Sequence, residues 1–341
     1  MNDAWVHTLN PFAIQFFDGM GIRWYGLAYL AGFLFGYLII VHRVKSGRSP
    51  LTVQQASDFV FQVALGTIIG GRLGYVIFYN PALLTSFTSG FPFWGVLAIN
   101  EGGMASHGGI IGIVAACWLY SRRTGISFPH LMDITTLGGS VGIFFGRIAN
   151  FINGELVGRP VEGSLAWAVK FPQDITSWPT QEPSRIADLA AAVQPLGVQA
   201  AQWQEWSNAM FVNRSAWDAV NSMLIKIVEA VQHGNVAVTE ALAPYLTARH
   251  PSQLYEALLE GALLFTILMI AWRKPRHDGV ITGIFLTCYA IVRIIGEQYR
   301  MPDAQLGFQL LGLTRGQWLS FVMLVPGLFA WRYFLRRGEE H

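Results

Sequence analysis

Residues 24–43 read WYGLAYLAGFLFGYLIIVHR, with no charged side chain before Arg43. A helix needs about 20 mostly apolar residues to cross the hydrocarbon core of a bilayer, and this stretch has that length. Its glycines at 26, 32 and 36 suit close approach to neighbouring membrane helices. The segment reads as a spanning helix, and the fold class follows from it.

Working outward, six further segments carry the same signature, at 57–79, 104–121, 131–152, 253–272, 279–299 and 316–336. The second, fourth and sixth of the seven contain isolated arginines, and Pro326 in the last is a kink that neighbouring helices can accommodate. Composition agrees: 52% of the 341 residues are hydrophobic, 13% are charged, and mean hydropathy is +0.39. A soluble domain carries about twice that charge fraction. The net charge of +2, without a basic stripe, gives no reason to expect nucleic acid. Cys117 and Cys288 both lie inside apolar runs and read as small buried hydrophobes rather than a disulfide or metal site.

Basic residues orient the segments. Arg43, Lys45 and Arg48 follow the first, Arg122 and Arg123 the third, and Arg273, Lys274 and Arg276 the fifth; Arg332, Arg336 and Arg337 end the seventh. These four regions belong to the cytoplasmic side, which places the N-terminus outside and the C-terminus inside. The expected fold is an all-α integral membrane protein of seven transmembrane helices with a small periplasmic head. Residues 1–152 hold an N-terminal arm and helices one to four, 153–252 the head, and 253–341 helices five to seven. Within the head, Leu165–Pro172 alternates like a strand, and 182–247 is Ala- and Gln-rich, with helical stretches broken at Pro195, Gly197, Gly234 and Pro244. The first 22 residues contain no Lys or Arg, so the first spanning helix is expected to drive insertion, without a removable signal peptide.

Ionisable side chains in spanning helices are costly, roughly 2.5–3.5 kcal/mol for a central Arg on insertion scales. Here they share one depth. His107 lies near the outer start of the third segment; Arg72, Arg147, Asn150, Arg293 and Glu297 fall in outer halves, and Tyr25 opens the first segment. Arg147 and Asn150 are i and i+3, while Arg293, Glu297 and Arg300 are i, i+4 and i+7, so each set occupies one helix face. An Arg293–Glu297 pair that only neutralises itself is as good a reading of those two alone. Arg72, Arg147 and Arg293 against one evident carboxylate give surplus positive charge, which fits a phospholipid phosphate held bidentately by guanidinium. His107, set among Gly102, Gly103, Gly108 and Gly109, has room for close approach, and an imidazole takes a proton near neutral pH. Glu256 and Glu260 form a second acidic element; Glu260 reads as a packing or hydrogen-bonding group, and the role of Glu256 is open.

At these residues the chain resembles the prolipoprotein diacylglyceryl transferases of bacteria. The most specific stretch is Gly146-Arg147-Ile148-Ala149-Asn150-Phe151-Ile152-Asn153-Gly154-Glu155, continuing to Gly158-Arg159; Ala149 stands where the family usually has glycine. Further matching blocks are Arg23–Gly26, Gly70–Tyr75, Gly103–Gly109, His250–Glu256, and Arg293–Arg300 followed by Pro302-Asp303. They run in order from about 23 to 305. The stretch near 182–247 is longer than the family's usual head segment.

The resemblance implies transfer of the diacylglyceryl group of phosphatidylglycerol to the lipobox cysteine thiol of a preprolipoprotein, with a thioether formed and glycerol phosphate released. It implies an inner-membrane enzyme whose active site faces the periplasm, working among membrane lipids. Position by position it makes Tyr25, His107, Arg147, Asn150, Glu155, Gly158, Arg293 and Glu297 functional candidates, with Arg72, Asn153 and Arg300 as further substrate-binding candidates. His107 is the leading base, Arg147 and Arg293 the phosphate clamp. No metal or cofactor is expected, since no Cys/His ligand cluster is present. A channel or carrier for an anionic solute or lipid, and another phospholipid head-group enzyme such as a hydrolase, are the competing readings.

Overall fold

Apolar runs without internal turn signals fold as helices, and each of the seven predicted segments is helical in the computed structural model, which describes residues 4–17, 20–99, 102–302 and 307–339. In chain order, α1 is Trp24–Lys45, α2 Val53–Phe78, α3 Ser106–Thr124 and α4 Phe128–Asn153. Then come α5 (Ala200–Ala209), α6 (Arg214–Gln232) and α7 (Val236–Leu242). The last three are α8 (Ser252–Ala271), α9 (Val280–Gly296) and α10 (Arg315–Glu339). Among the described residues four helices, α1, α2, α8 and residues Arg315–Arg336 of α10, are long and apolar enough to cross a membrane, and α9 is a shorter apolar helix. The chain is a membrane protein.

Local chemistry sets the helix ends. Thr52 and Gln55 form a reciprocal capping box at the start of α2, with Thr52 Oγ1 accepting from the Gln55 amide at 3.1 Å and Gln55 Oε1 accepting from the Thr52 amide at 2.9 Å. Gly125, at φ 74°, closes α3 in the left-handed conformation. Asp133 is an isolated carboxylate within α4. It accepts from the Gly279 amide at 2.8 Å, the Thr282 amide at 2.7 Å and the Thr282 hydroxyl at 2.6 Å. It therefore satisfies amides at the start of α9 that have no partner within the helix.

The fold is mostly helical but not purely so, which corrects the all-α expectation. Strands β1 (Trp5–Val6), β4 (Val169–Lys170) and β5 (Ala248–Arg249) form one sheet in the order β1-β4-β5, and β2 (Phe12–Phe17) pairs antiparallel with β3 (Met20–Arg23). Within 165–172 only Val169–Lys170 is strand; the Ala168 amide turns back onto the Leu165 carbonyl at 3.0 Å, which satisfies that backbone group without a ladder.

The chain forms two compact units. The first comprises Met1–Tyr29, Phe144–Glu260 and Val292–Leu319, and the second Leu30–Ile143, Gly261–Ile291 and Ser320–His341. A core of the first unit is built by the stretch after α4: Ile175, Trp178, Ile186, Leu189, Trp203, Val220, Leu224, Ile227, Val231, Val238 and Leu242 are buried together. Gly197 and Gly234, both at positive φ, let the chain reverse between its helices. In the second unit, Phe59, Cys117, Tyr120, Leu131, Ile134, Leu137, Leu264, Leu268 and Ile281 share a core. There α2 and α3 pack backbone to backbone: a Cβ placed on Gly66, Gly70 or Gly74 would meet the backbone of Gly108 or Gly112.

Candidate active site

The first unit gathers four charged side chains from α4, α8 and α9, Arg147, Glu256, Glu260 and Arg293, with Glu297 and Arg300 just beyond α9. Arg147 donates to Glu260 Oε2 from Nε at 3.3 Å and from Nη2 at 3.0 Å, and its Nη1 lies 3.1 Å from Glu256 Oε2. Arg293 Nη1 donates to Glu256 Oε1 at 2.7 Å and to Glu260 Oε1 at 2.9 Å, while its Nη2 donates to Glu297 Oε1. Arg300 Nη1 lies 3.7 Å from Glu256 and 3.8 Å from Glu297. The Thr314 hydroxyl donates to Glu297 Oε2 at 2.9 Å; Thr314 also caps α10, its Oγ1 accepting from the Gln317 amide at 3.2 Å. A Cβ at Gly316 would collide with the Glu297 carboxylate, so glycine is what lets that carboxylate approach the α10 backbone.

This geometry corrects the charge count read from sequence. Arg147 and Arg293 share two further carboxylates, Glu256 and Glu260. With Arg300 and Glu297 the cluster holds three guanidiniums and three carboxylates. Its charges are arranged unequally, however. The Glu256 and Glu260 side chains are 0% exposed and Glu297 5%, while Arg147, Arg293 and Arg300 are 14%, 12% and 11% exposed. The carboxylates lie beneath, and the accessible edge of the cluster is mostly guanidinium.

Part of α8 departs from α geometry: Ala257–Leu263 is a π turn. An α-helix drifts about 40° over each four-residue step. The wider π turn offsets that drift, and Glu256, Glu260, Leu264 and Leu268, spaced four apart, are all buried. Nothing in the sequence marks the turn, because a four-residue repeat reads the same with or without it.

A second group surrounds the end of α4. Asn150 Nδ2 donates to the Tyr25 hydroxyl and, at 2.6 Å, to Glu155 Oε1. Gly154, at φ 66°, turns the chain so that the Glu155 amide donates to the Asn150 carbonyl at 3.1 Å; that reversal carries the Glu155 side chain back to Asn150. The Asn153 carbonyl accepts from Gln173 Nε2 at 3.2 Å. Gly158 pairs with Arg300, and a Cβ there would collide with the His250 carbonyl, so its place in the motif has a steric cause. Arg159, unweighed in the sequence reading, donates to the Arg300 carbonyl at 3.0 Å and the Glu297 carbonyl at 3.3 Å, tying down the end of α9. Asp303 lies outside the described residues.

Arg72 and His107 belong to the second unit. Arg72 is buried, and its guanidinium nitrogens are committed to four backbone carbonyls: Val96 at 2.7 Å, Gly102 at 2.5 Å, Gly103 at 3.0 Å and Gly95 at 2.6 Å. These bonds fix the loop before α3, so the geometry favours a loop anchor over a phosphate ligand for Arg72. His107 is exposed at the second residue of α3.

The chemistry of such a constellation is anion recognition beside a polar hydrogen-bonding group, and comparison with known proteins narrows it. The family model for prolipoprotein diacylglyceryl transferase matches residues 11–333. The chain is similar to the phosphatidylglycerol–prolipoprotein diacylglyceryl transferase of Bdellovibrio bacteriovorus, with 52% identity over 323 residues covering 95% of this chain and 92% of that one. A protein of the same description from Bradyrhizobium diazoefficiens is 38% identical over 97% of this chain and 93% of its own. One from Neisseria gonorrhoeae is 36% identical over 98% of each.

Proposed function

The chain belongs to the prolipoprotein diacylglyceryl transferase family, and from that premise we propose that it moves the diacylglyceryl group of phosphatidylglycerol onto the lipobox cysteine of a preprolipoprotein, the first step of bacterial lipoprotein modification. The observation that carries the phosphate end of this reading is the arginine edge over buried carboxylates.

The reaction breaks the bond between a glyceryl carbon and its phosphate oxygen and forms a bond from that carbon to the acceptor sulfur. Glycerol phosphate leaves, and the thiol proton passes to a base. As the C–O bond opens, negative charge grows on the leaving phosphate, so guanidiniums held in place bind the transition state more strongly than the ground state. Arg147 and Arg293 take that role, with Arg300 beside them and Glu297 orienting Arg293. Tyr25, Asn150 and Glu155 form a hydrogen-bonded set suited to the hydroxyls of a glycerol head group, with Asn153 and Gly158 shaping the turn beside it. A free thiol with pKa about 8.5 is only a few per cent thiolate at pH 7, so a base accelerates attack; His107, exposed at the start of α3, is our assignment. The sulfur comes from the substrate, so neither Cys117 nor Cys288 takes part.

We place the protein in the bacterial inner membrane, crossing seven times, with its N-terminus and the stretch after α4 on the periplasmic side. Two features support this. Basic residues fall in the last turns of α1 and α3 and follow α8. The polar side chains gathered in the first unit come from the starts of α1 and α8 and from the ends of α4 and α9 or just beyond them, with Thr314 immediately before α10, the alternation that successive crossings produce.

The test uses purified protein in detergent with phosphatidylglycerol and a synthetic lipobox peptide, following glycerol phosphate release with the peptide cysteine intact and replaced by serine. Release that depends on the thiol, with a matching mass gain on the peptide, is the expected result. Equal release without the thiol identifies a hydrolase, and no release by folded protein returns the carrier reading.

A further inference from the structure

We propose that Glu260, acting with Glu256, is a positioning pair for the transfer: a buried double carboxylate, Glu260 on the π turn of α8 and Glu256 immediately before it, that fixes the spacing of the Arg147 and Arg293 guanidiniums for one shared phosphate. The inference rests on the phosphate-clamp reading above and adds the element that sets the clamp.

The connectivity carries it. Each carboxylate gives one oxygen to each arginine. Glu260 Oε2 takes Nε and Nη2 of Arg147, and its Oε1 takes Nη1 of Arg293. Glu256 Oε2 faces Nη1 of Arg147, and its Oε1 takes Nη1 of Arg293. The four groups close a ring of ion pairs in which Arg147 is hydrogen-bonded to Glu260 and ion-paired with Glu256, while Arg293 is hydrogen-bonded to both carboxylates. Two arginines side by side repel, and the pair of negative charges beneath them holds them together. Being 0% exposed, neither carboxylate is open to solvent or to an incoming head group, so both act through the arginines.

The backbone is shaped around this pair. The π turn spans Ala257–Leu263 and therefore contains Glu260, and such turns concentrate at functional positions. Across from it, Gly296 of α9 leaves space: a Cβ there would lie 3.4 Å from Glu256 Cγ and 3.8 Å from Glu260 Oε1. A Cβ at 296 is therefore already in van der Waals contact with the pair, and a branched side chain adds bulk at that contact.

The experiment compares Glu260→Asp, Arg147→Lys and the double variant with wild type, reading kcat, KM for phosphatidylglycerol and melting in detergent. Aspartate keeps the charge but withdraws the carboxylate by about 1.5 Å, too far to bridge both arginines. A displacement of that size is expected to lower kcat on the order of 10²-fold, with KM and melting near wild type. Lysine cannot reproduce the two-point contact of Arg147, so in the Arg147→Lys background the further cost of Glu260→Asp is expected to fall to about threefold or less. The full cost in both backgrounds means that Glu260 does not act through Arg147, and overturns the proposal while leaving the clamp standing. Near-normal turnover of Arg147→Lys removes the clamp itself. Should Glu260→Asp fold poorly, Gly296→Val displaces the same pair without removing a charge. Loss of kcat with unchanged KM is then expected from its folded fraction, and unchanged kcat overturns the proposal.

Discussion

At the scale of single residues, His107 and Arg72 show how a shared motif style can hide different duties. Both lie among glycines, and both read from sequence as polar groups out of place. Arg72 gives its nitrogens to backbone carbonyls of the loop before α3, whereas His107 is exposed at the start of that helix. His107→Gln is therefore expected to lower transfer by roughly 10²–10⁴-fold, the usual range for loss of a general base, and to remove any His ionisation from the rate profile. The measurement is initial rate against pH, at saturating lipid, for wild type and variant. A variant that keeps both rate and profile leaves His107 as a structural residue and the base elsewhere.

At the scale of elements, the N-terminal arm carries a pH dependence that its short strand makes visible. The His7 ring is buried, with Trp5, Phe151 and Phe171 ring centroids at 5.5, 5.4 and 5.2 Å. Burial pushes its pKa down to about 4. The unfolded chain binds a proton on His7 near pH 6.5 while the folded arm still excludes it, so stability is complete above that pH. It falls as pH drops from 6.5 to 4 and levels off below. The total loss is on the order of 3 kcal/mol, and His7→Phe should flatten the dependence over that window when melting is followed by tryptophan fluorescence. The helices themselves were legible: an apolar run of spanning length has few other ways to satisfy its backbone, and α1 to α4 and α8 to α10 fall within a few residues of the sequence reading. The two-residue strands and the π turn were not. A strand of Trp5–Val6 exists only because Val169–Lys170 is its neighbour, and no local pattern names a partner so distant in the chain. The same limit hid the cluster's balance. Glu256 and Glu260 were visible as an i, i+4 pair, but the two arginines that claim them come from α4 and α9.

At the scale of the whole molecule, helix length and apolarity among the described residues license four crossings, while charge distribution argues for seven. The difference has a physical source. Spans are recognised by uniform apolarity, and an active site built inside a membrane places polar groups in the very helices that should show it. Helix α4, which contains Asp133 and Arg147, is absent from the four for that reason, although its 26 residues exceed the required length. The counts predict different sides for specific positions. With seven crossings, Asn213 between α5 and α6 faces the periplasm, and Lys274 after α8 faces the cytoplasm. In a Cys117→Ser/Cys288→Ser background, which should itself retain transfer, Asn213→Cys is expected to react with a membrane-impermeant maleimide in intact spheroplasts. Lys274→Cys is expected to react only after permeabilisation. Of the helices between the two sites only α8 is long and apolar enough to cross, so labelling of both from the same side would remove that crossing and with it the odd count that sets the N-terminus outside.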